Sequence, residues 1–118
     1  MGIMLVDDEQ HFIDEMKEIL TGESPHRILA NYLNGTDALS TIEELIPDLL
    51  IVDVLMPGMS GLELARRAKS MKPDLPIILM SDDPSYGINA YDMGIAGFLL
   101  KPLEKDKVTE IINRLLCG

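Results

Sequence analysis

The sequence predicts an α/β fold in which helices cover both faces of a doubly wound parallel sheet. Short apolar runs alternate five times with segments whose apolar residues recur at helical spacing, which is the pattern of repeated strand–helix units. The central runs also lack polar alternation, as expected for strands buried on both faces. A chain of 118 residues fits one domain, and we expect that domain to span 1–118.

Five segments are predicted as strands. They are residues 3–6, 27–32, 49–52, 77–80 and 98–100. Four of these runs are apolar throughout, whereas 27–32 mixes polar and apolar residues. The mixed run is therefore predicted to lie at an edge of the sheet.

Each strand is followed by a segment with helical spacing of apolar residues. The first segment stops at Gly22, and Pro47-Asp48 ends the second. Ser60 and Glu63 make a capping-box pattern at the start of the third helix. Asp83-Pro84 resembles an N-cap followed by proline at the first position of the fourth helix, and Gly94 is predicted to end that helix. The predicted apolar faces are Phe12, Ile13, Met16, Ile19 and Leu20; Ala38, Leu39, Ile42, Leu45 and Ile46; Leu62, Ala65 and Ala68; and Val108, Ile111, Ile112, Leu115 and Leu116.

The composition excludes several classes of function. A formal net charge of −10 repels a phosphate backbone, so we expect no direct nucleic-acid binding by this segment. Cys117 is the only cysteine, which rules out an intrachain disulfide and a cysteine zinc cluster. No signal-peptide pattern or apolar stretch of membrane-spanning length is present, so we expect a cytoplasmic chain that does not enter a membrane.

Polar side chains follow the predicted strands at the point where each strand ends. Asp7 and Asp8 follow the first strand, Asp53 the third, Ser81 the fourth and Lys101 the fifth. Because ligands of open α/β sheets bind at the carboxyl ends of the strands, we expect these groups to meet in one site. Each residue alone has an ordinary explanation, such as a helix cap or a turn, but their shared placement favours a functional site.

Such a cluster of acids needs a compensating charge. Two carboxylates about 5 Å apart repel by roughly 3 kcal/mol at an effective dielectric constant of about 20, which is a large share of a stability of about 5–15 kcal/mol. A divalent cation with oxygen ligands fits, and few protein ligands favour Mg²⁺ over Ca²⁺. With Lys101 and the Ser81 hydroxyl, the site could hold a phosphoryl group, and a carboxylate could accept it.

The chain resembles the receiver domains of bacterial two-component response regulators over nearly its full length. Four segments in this order and spacing carry the resemblance: LVDDE at 5–9, PDLLIVD at 47–53, MPGMSG at 56–61 and GFLLKP at 97–102. The resemblance implies a flavodoxin-like fold with the strand order 2-1-3-4-5. It also implies a cis bond between Lys101 and Pro102.

The resemblance assigns a role to each site residue. Asp53 would be the phosphoacceptor, with Lys101 pairing to the phosphoryl group. Mg²⁺ would be held by Asp8, Asp53 and the backbone carbonyl of Leu55, with Asp7 acting through water. Ser81 would be the switch hydroxyl, and Phe98 the aromatic switch residue, although core packing explains Phe98 nearly as well. Asp82 departs from the family pattern, which usually has a small residue there. It is a candidate modulator that slows phosphoryl exchange, or it points to solvent and leads into the cap at Asp83.

The implied function is a signalling switch and not an enzyme. A histidine kinase or phosphotransfer protein would supply the phosphoryl group. Phosphorylation would change the conformation of the face formed by the fourth helix, fifth strand and fifth helix, roughly 84–116. We expect two copies of the chain to form a homodimer through this face. Two arrangements stay open, a stand-alone receiver domain and one piece of a longer regulator.

Two alternatives come from other functional classes. The first is a pseudo-receiver that binds partners without phosphorylation. Asp82 leaves this alternative open, whereas the intact acids and Lys101 oppose it. The second is a Mg²⁺-dependent phosphohydrolase with an aspartate nucleophile. Phosphatases resembling the haloacid dehalogenases need a second aspartate two residues after the nucleophile, and here that position is Leu55.

Overall fold

The apolar runs of the sequence form the five parallel strands of one sheet. The structure is a computed structural model, and it describes residues 1–22 and 26–117. The strands are β1 (Gly2–Val6), β2 (Arg27–Tyr32), β3 (Leu49–Asp53), β4 (Ile77–Ser81) and β5 (Gly97–Leu100). The helices are α1 (Gln10–Thr21), α2 (Gly35–Leu45), α3 (Gly61–Met71), α4 (Ser85–Tyr91) and α5 (Lys105–Cys117).

The strand order is β2-β1-β3-β4-β5, as the sequence resemblance implies. All four pairings are parallel. The order reverses between β1 and β3, so the chain leaves these two neighbouring strands in opposite directions across the sheet. Ligands of this class of fold bind at that reversal, outside the carboxyl ends of the strands.

The sheet separates two apolar cores. Side chains of β1, β3 and β4 alternate between the two faces, so all three strands are buried along their whole length. One core packs the sheet against α2, α3 and α4, and the other packs it against α1 and α5. The prediction of helices on both faces is therefore confirmed. Within the described ranges, no helix combines the length and the apolar character that crossing a bilayer requires.

The end of α2 corrects one sequence-based prediction. Ile46 was expected on the apolar face of this helix, but it follows the helix in a left-handed conformation with φ 48° and its side chain is exposed. The following Pro47 explains the break, because proline disfavours helical backbone at the residue before it. The Ile46 N–H still donates to the Ile42 carbonyl and completes the last turn.

The bounds of α4 also differ from the prediction. The helix begins at Ser85 with Pro84 as its N-cap residue, one position later than the Asp83-Pro84 pattern predicts. Asp83 nevertheless supplies a capping contact, since its carboxylate accepts the Ser85 N–H at 2.9 Å. The helix ends at Tyr91, and a turn with Gly94 at φ 77° follows it. Gly94 therefore closes the turn and not the helix.

Candidate functional site

The carboxyl ends of the strands surround one cleft of about 520 Å³. Its lining includes six of the residues that the sequence singles out as site residues: Asp8, Asp53, Leu55, Ser81, Asp82 and Lys101. Asp53 ends β3 and Ser81 ends β4, while Lys101 directly follows β5. The parallel register therefore brings together side chains that are far apart in the sequence.

Three carboxylates meet at this edge of the sheet. Asp7, Asp8 and Asp53 each offer an oxygen atom, and these atoms lie within 4.8 Å of one another. Asp7 and Asp53 are buried, with 1% and 6% of their surface exposed, whereas Asp8 is exposed. Oxygen ligands with one open side form the kind of donor set that Mg²⁺ binds, so the residues fit the metal that the sequence predicts.

The Lys101 ammonium group bridges two of these carboxylates. Its Nζ lies 2.8 Å from Asp7 Oδ2 and 2.9 Å from Asp53 Oδ1, and only 8% of the lysine side chain is exposed. Charge-assisted hydrogen bonds at such distances are among the stronger ones in proteins. The peptide bond between Lys101 and Pro102 is cis, as the resemblance implies.

The surroundings of the cluster shift two pKa values. Burial raises the pKa of Asp53 from 3.8 to about 6; the hydrogen bond from Lys101 opposes this rise, and the negative charges of Asp7 and Asp8 add to it. For Lys101, burial lowers the pKa, but the hydrogen bonds to Asp7 and Asp53 and the negative charges of these two carboxylates together outweigh burial and raise the pKa above 10.5. The environment of Asp53 thus destabilises its charged form.

Asp7 and Asp8 differ in how their oxygens are used. Asp7 Oδ1 accepts the Glu9 N–H at 3.0 Å, and Oδ2 accepts a hydrogen bond from Lys101. Within residues 1–22 and 26–117, no group donates a hydrogen bond to the Asp8 carboxylate. The Asp8 oxygens are therefore more available to a ligand, while both Asp7 oxygens already accept hydrogen bonds from the protein.

Ser81 lines the cleft, whereas Phe98 is not part of its lining and packs against α4. Ser81 is buried, and its Oγ accepts the Asp83 N–H at 3.0 Å. Phe98 is partly buried beside the core that contains α4. A Cβ atom added to Gly87 would lie 3.3 Å from the Phe98 ring, so α4 packs directly on that ring. Asp82 is exposed at the rim of the cleft.

The backbone around Asp53 is packed without spare room. The Val54 N–H donates to the Met80 carbonyl, and the Val54 carbonyl accepts the Gly61 N–H, both at 2.8 Å. A Cβ atom at Gly61 would overlap the Asp53 carbonyl oxygen. Glycine is therefore required where α3 begins, because the helix starts in contact with the main chain of the candidate phosphoacceptor.

The cleft also contains residues that the sequence-based prediction missed. Glu9, His11 and Phe12 line it, and the Phe12 ring centroid lies 3.7 Å from Lys101 Nζ. Phe12 was interpreted only as an apolar residue of the first helix. Its position four residues after Asp8, in the first turn of α1, is the one sequence signal that could have placed it near the site.

Comparison with known proteins identifies the family. The family model of the response regulator receiver domain matches residues 3–113. The transcriptional regulatory protein DegU of Brevibacillus brevis is 31% identical over 98% of this chain and 50% of its own length. The transcriptional activator protein ExaE of Pseudomonas putida is 35% identical over 100% of this chain and 56% of its own length. The chain thus spans about half the length of these curated relatives.

Solved structures share the fold. The isolated receiver domain of RcsB from Salmonella enterica serovar Typhimurium, with the phosphomimetic BeF₃⁻, has a TM-score of 0.92 at 22% identity; the match covers 100% of this chain and 89% of that chain. A chain of the CheX–CheY–BeF₃⁻–Mg²⁺ complex from Borrelia burgdorferi has a TM-score of 0.92 at 20% identity, covering 98% and 88%. With 111 of its 118 residues inside the family match, the chain belongs to the response regulator receiver domain family.

Proposed function

We propose that this chain is a phosphorylation-dependent signalling switch in which Asp53 accepts a phosphoryl group from a histidine kinase or a histidine phosphotransfer protein. The observation that carries the proposal is the pairing of Lys101 Nζ with Asp53 Oδ1 at 2.9 Å, beside two further carboxylates. This arrangement combines a nucleophilic oxygen with a fixed positive charge and a set of metal ligands.

The proposed transfer exchanges one bond to phosphorus for another. An Asp53 carboxylate oxygen forms the new O–P bond while the N–P bond of the donor phosphohistidine breaks, and the imidazole nitrogen keeps the electron pair. Lys101 holds the acceptor carboxylate and is placed to bind a phosphoryl oxygen. When bound, Mg²⁺ would neutralise charge on the phosphoryl oxygens.

The hydrogen bonds support different roles for the proposed metal ligands. Asp8 and Asp53 would bind Mg²⁺ directly, because the Asp8 carboxylate is exposed and accepts no hydrogen bond within the described residues. Asp7 would act through a water molecule, since both of its oxygens accept protein hydrogen bonds. The Leu55 backbone carbonyl is the fourth proposed ligand; Leu55 lies in the cleft wall.

Ser81 and Phe98 would transmit the change. The Ser81 oxygen accepts the Asp83 N–H, and its hydroxyl donates no hydrogen bond to any described residue, so its proton would be available to a phosphoryl oxygen. Movement of Ser81 would pull the segment that leads into α4, and the Phe98 ring that contacts this helix would follow. The proposed output surface is the face of α4, β5 and α5, which would also form a homodimer, and phosphorylation would shift a pre-existing equilibrium on it.

Asp82 is the proposed modulator of phosphoryl exchange. Its carboxylate is exposed at the rim of the cleft, so its negative charge would repel anionic donors and slow their entry. A cytoplasmic location and the absence of an enzymatic activity beyond this self-modification are part of the same proposal. The pseudo-receiver alternative predicts that the chain is not phosphorylated. One phosphorylation experiment can therefore distinguish it from the proposed switch.

The test is direct phosphorylation by a small donor. Incubation with phosphoramidate or acetyl phosphate and Mg²⁺ should add the mass of one phosphoryl group, and chelation of Mg²⁺ should prevent it. Asp53→Asn should abolish the mass gain, while Asp74→Asn, an exposed aspartate outside the cleft, should retain it. Phosphoryl uptake by Asp53→Asn would refute the assignment. If neither the wild type nor Asp82→Ala gains mass, the switch proposal fails and the pseudo-receiver remains.

A further inference from the structure

The Lys101 ammonium group has a third neighbour besides its two carboxylates. The Phe12 ring centroid lies 3.7 Å from Nζ, well inside the distance of about 6 Å at which an aromatic face attracts a cation. An ammonium group has three N–H donors, of which two point to Asp7 and Asp53. The ring covers the remaining side, and 8% of the lysine side chain stays exposed.

We propose that Phe12 is a positioning residue that holds the Lys101 ammonium group in place while Asp53 is phosphorylated. This inference rests on the proposed function of the site. The ion pair with Asp53 cannot serve this purpose throughout the reaction, because Asp53 loses its carboxylate charge as it forms the acyl phosphate bond and also belongs to the proposed metal site. The hydrogen bond to Asp7 and the contact with the Phe12 ring are the two contacts of the ammonium group that do not take part in the bond change.

A neutral aromatic face suits this position better than a third carboxylate would. It attracts the ammonium group through its quadrupole, but it offers no lone pair to a metal ion and no negative charge to an incoming phosphoryl group. A carboxylate would add a further like charge to a cluster in which burial and the neighbouring acids already raise the pKa of Asp53. An aliphatic residue would fill the space without attracting the cation.

The ring is itself held in a defined position. Phe12 is partly buried and packs against the core formed with α1 and α5. The ring of His11 lies beside it, with centroids 4.1 Å apart and planes inclined by 38°. Because the ring is supported on these sides, it can act as a fixed surface for the long and otherwise mobile lysine side chain.

The test separates the aromatic face from the volume of the side chain. Three substitutions are made at residue 12 in the full chain: Phe12→Leu, Phe12→Tyr, and replacement by a phenylalanine carrying three ring fluorines, which keeps the shape but weakens cation binding. The rate of Asp53 phosphorylation by phosphoramidate with Mg²⁺ should fall about fivefold in Phe12→Leu and in the fluorinated chain. Phe12→Tyr should restore it to within about twofold of the wild type.

A second readout does not depend on phosphorylation. In the wild type and in Phe12→Tyr, the ring current should shift the NMR signals of the Lys101 ε-methylene group upfield, and Phe12→Leu should abolish this shift. Lys101 signals that are equal in the wild type and in Phe12→Leu would show that the ring does not face the ammonium group, which would overturn the proposal.

The kinetic results distinguish the two levels of inference. If the fluorinated chain and Phe12→Leu are both phosphorylated as fast as the wild type, the proposed role of Phe12 is overturned and Asp53 remains the acceptor. A wild-type chain that takes up no phosphoryl group would overturn the proposed function and the role of Phe12 with it. Thermal melting of each variant checks that a lowered rate comes from a folded protein.

Discussion

Replacing Asp53 by asparagine should stabilise the metal-free protein at neutral pH. The Asp53 carboxylate is buried beside Asp7 and Asp8, and burial is the main cause that raises its pKa from 3.8 to about 6. The folded protein therefore binds a proton at Asp53 more tightly than the unfolded chain does. Asparagine has nearly the size of a neutral carboxyl group and carries no charge, so it removes the penalty of ionisation.

The sign and size of the effect follow from the two pKa values. Since the folded-state pKa is the higher one, the wild type is most stable relative to Asp53→Asn below pH 3.8 and loses that stability as the pH rises through about 6. The difference between the two pKa values corresponds to about 2–3 kcal/mol at pH 7.5. For a domain of this size, that should raise the melting temperature by roughly 10 °C.

The measurement is urea unfolding, followed by circular dichroism in the presence of a chelator, at pH 4.5, 6 and 7.5. Comparing each variant with the wild type at the same pH cancels the titration of the other carboxyls. Asp74→Asn is the matched control: it removes the same charge from an exposed position and should change the free energy of unfolding only slightly. The reasoning is wrong if Asp53→Asn is no more stable than the wild type at pH 7.5, or if its advantage does not shrink towards pH 4.5.

Two further predictions concern the metal and the output surface. Saturating Mg²⁺ should stabilise the wild type by about 2.7 kcal/mol at a hundredfold excess over Kd, and Asp8→Ala should lose most of this gain; an unchanged melting shift in Asp8→Ala would mean that the metal binds elsewhere. Beryllofluoride with Mg²⁺ should alter hydrogen exchange across residues 84–116, and protection changes confined to 34–45 would rule out the proposed output face.

The architecture and the location of the site could be predicted because both depend on strong local signals. Uninterrupted apolar runs such as 49–52 are typical of strands covered on two faces, and the parallel sheet then aligns the acids and the lysine that follow those runs. The apolar run that ends at Asp53 thus predicts both a buried strand and the position of the site at its carboxyl end. The strand order came from the family resemblance and not from the pattern itself.

Other features depend on packing that no local pattern records. The contact between Phe12 and Lys101 joins residues far apart in the sequence, and it exists because α1 packs beside the loop after β5. Helical spacing alone placed Ile46 inside α2, whereas the steric effect of Pro47 ends the helix before it. The raised pKa of Asp53 likewise reflects the burial of the finished cluster.

The fixed backbone around Asp53 makes α3 a natural reference frame for distance measurements. The main chain after Asp53 is tied to β4 through Val54 and to the start of α3 through Gly61, so this helix cannot move without disturbing the acceptor strand. A spectroscopic label at the exposed position of Arg66 on α3 would therefore stay at a constant distance from Asp53. Displacements of a second label on α4 could then be measured from that origin in single-molecule experiments.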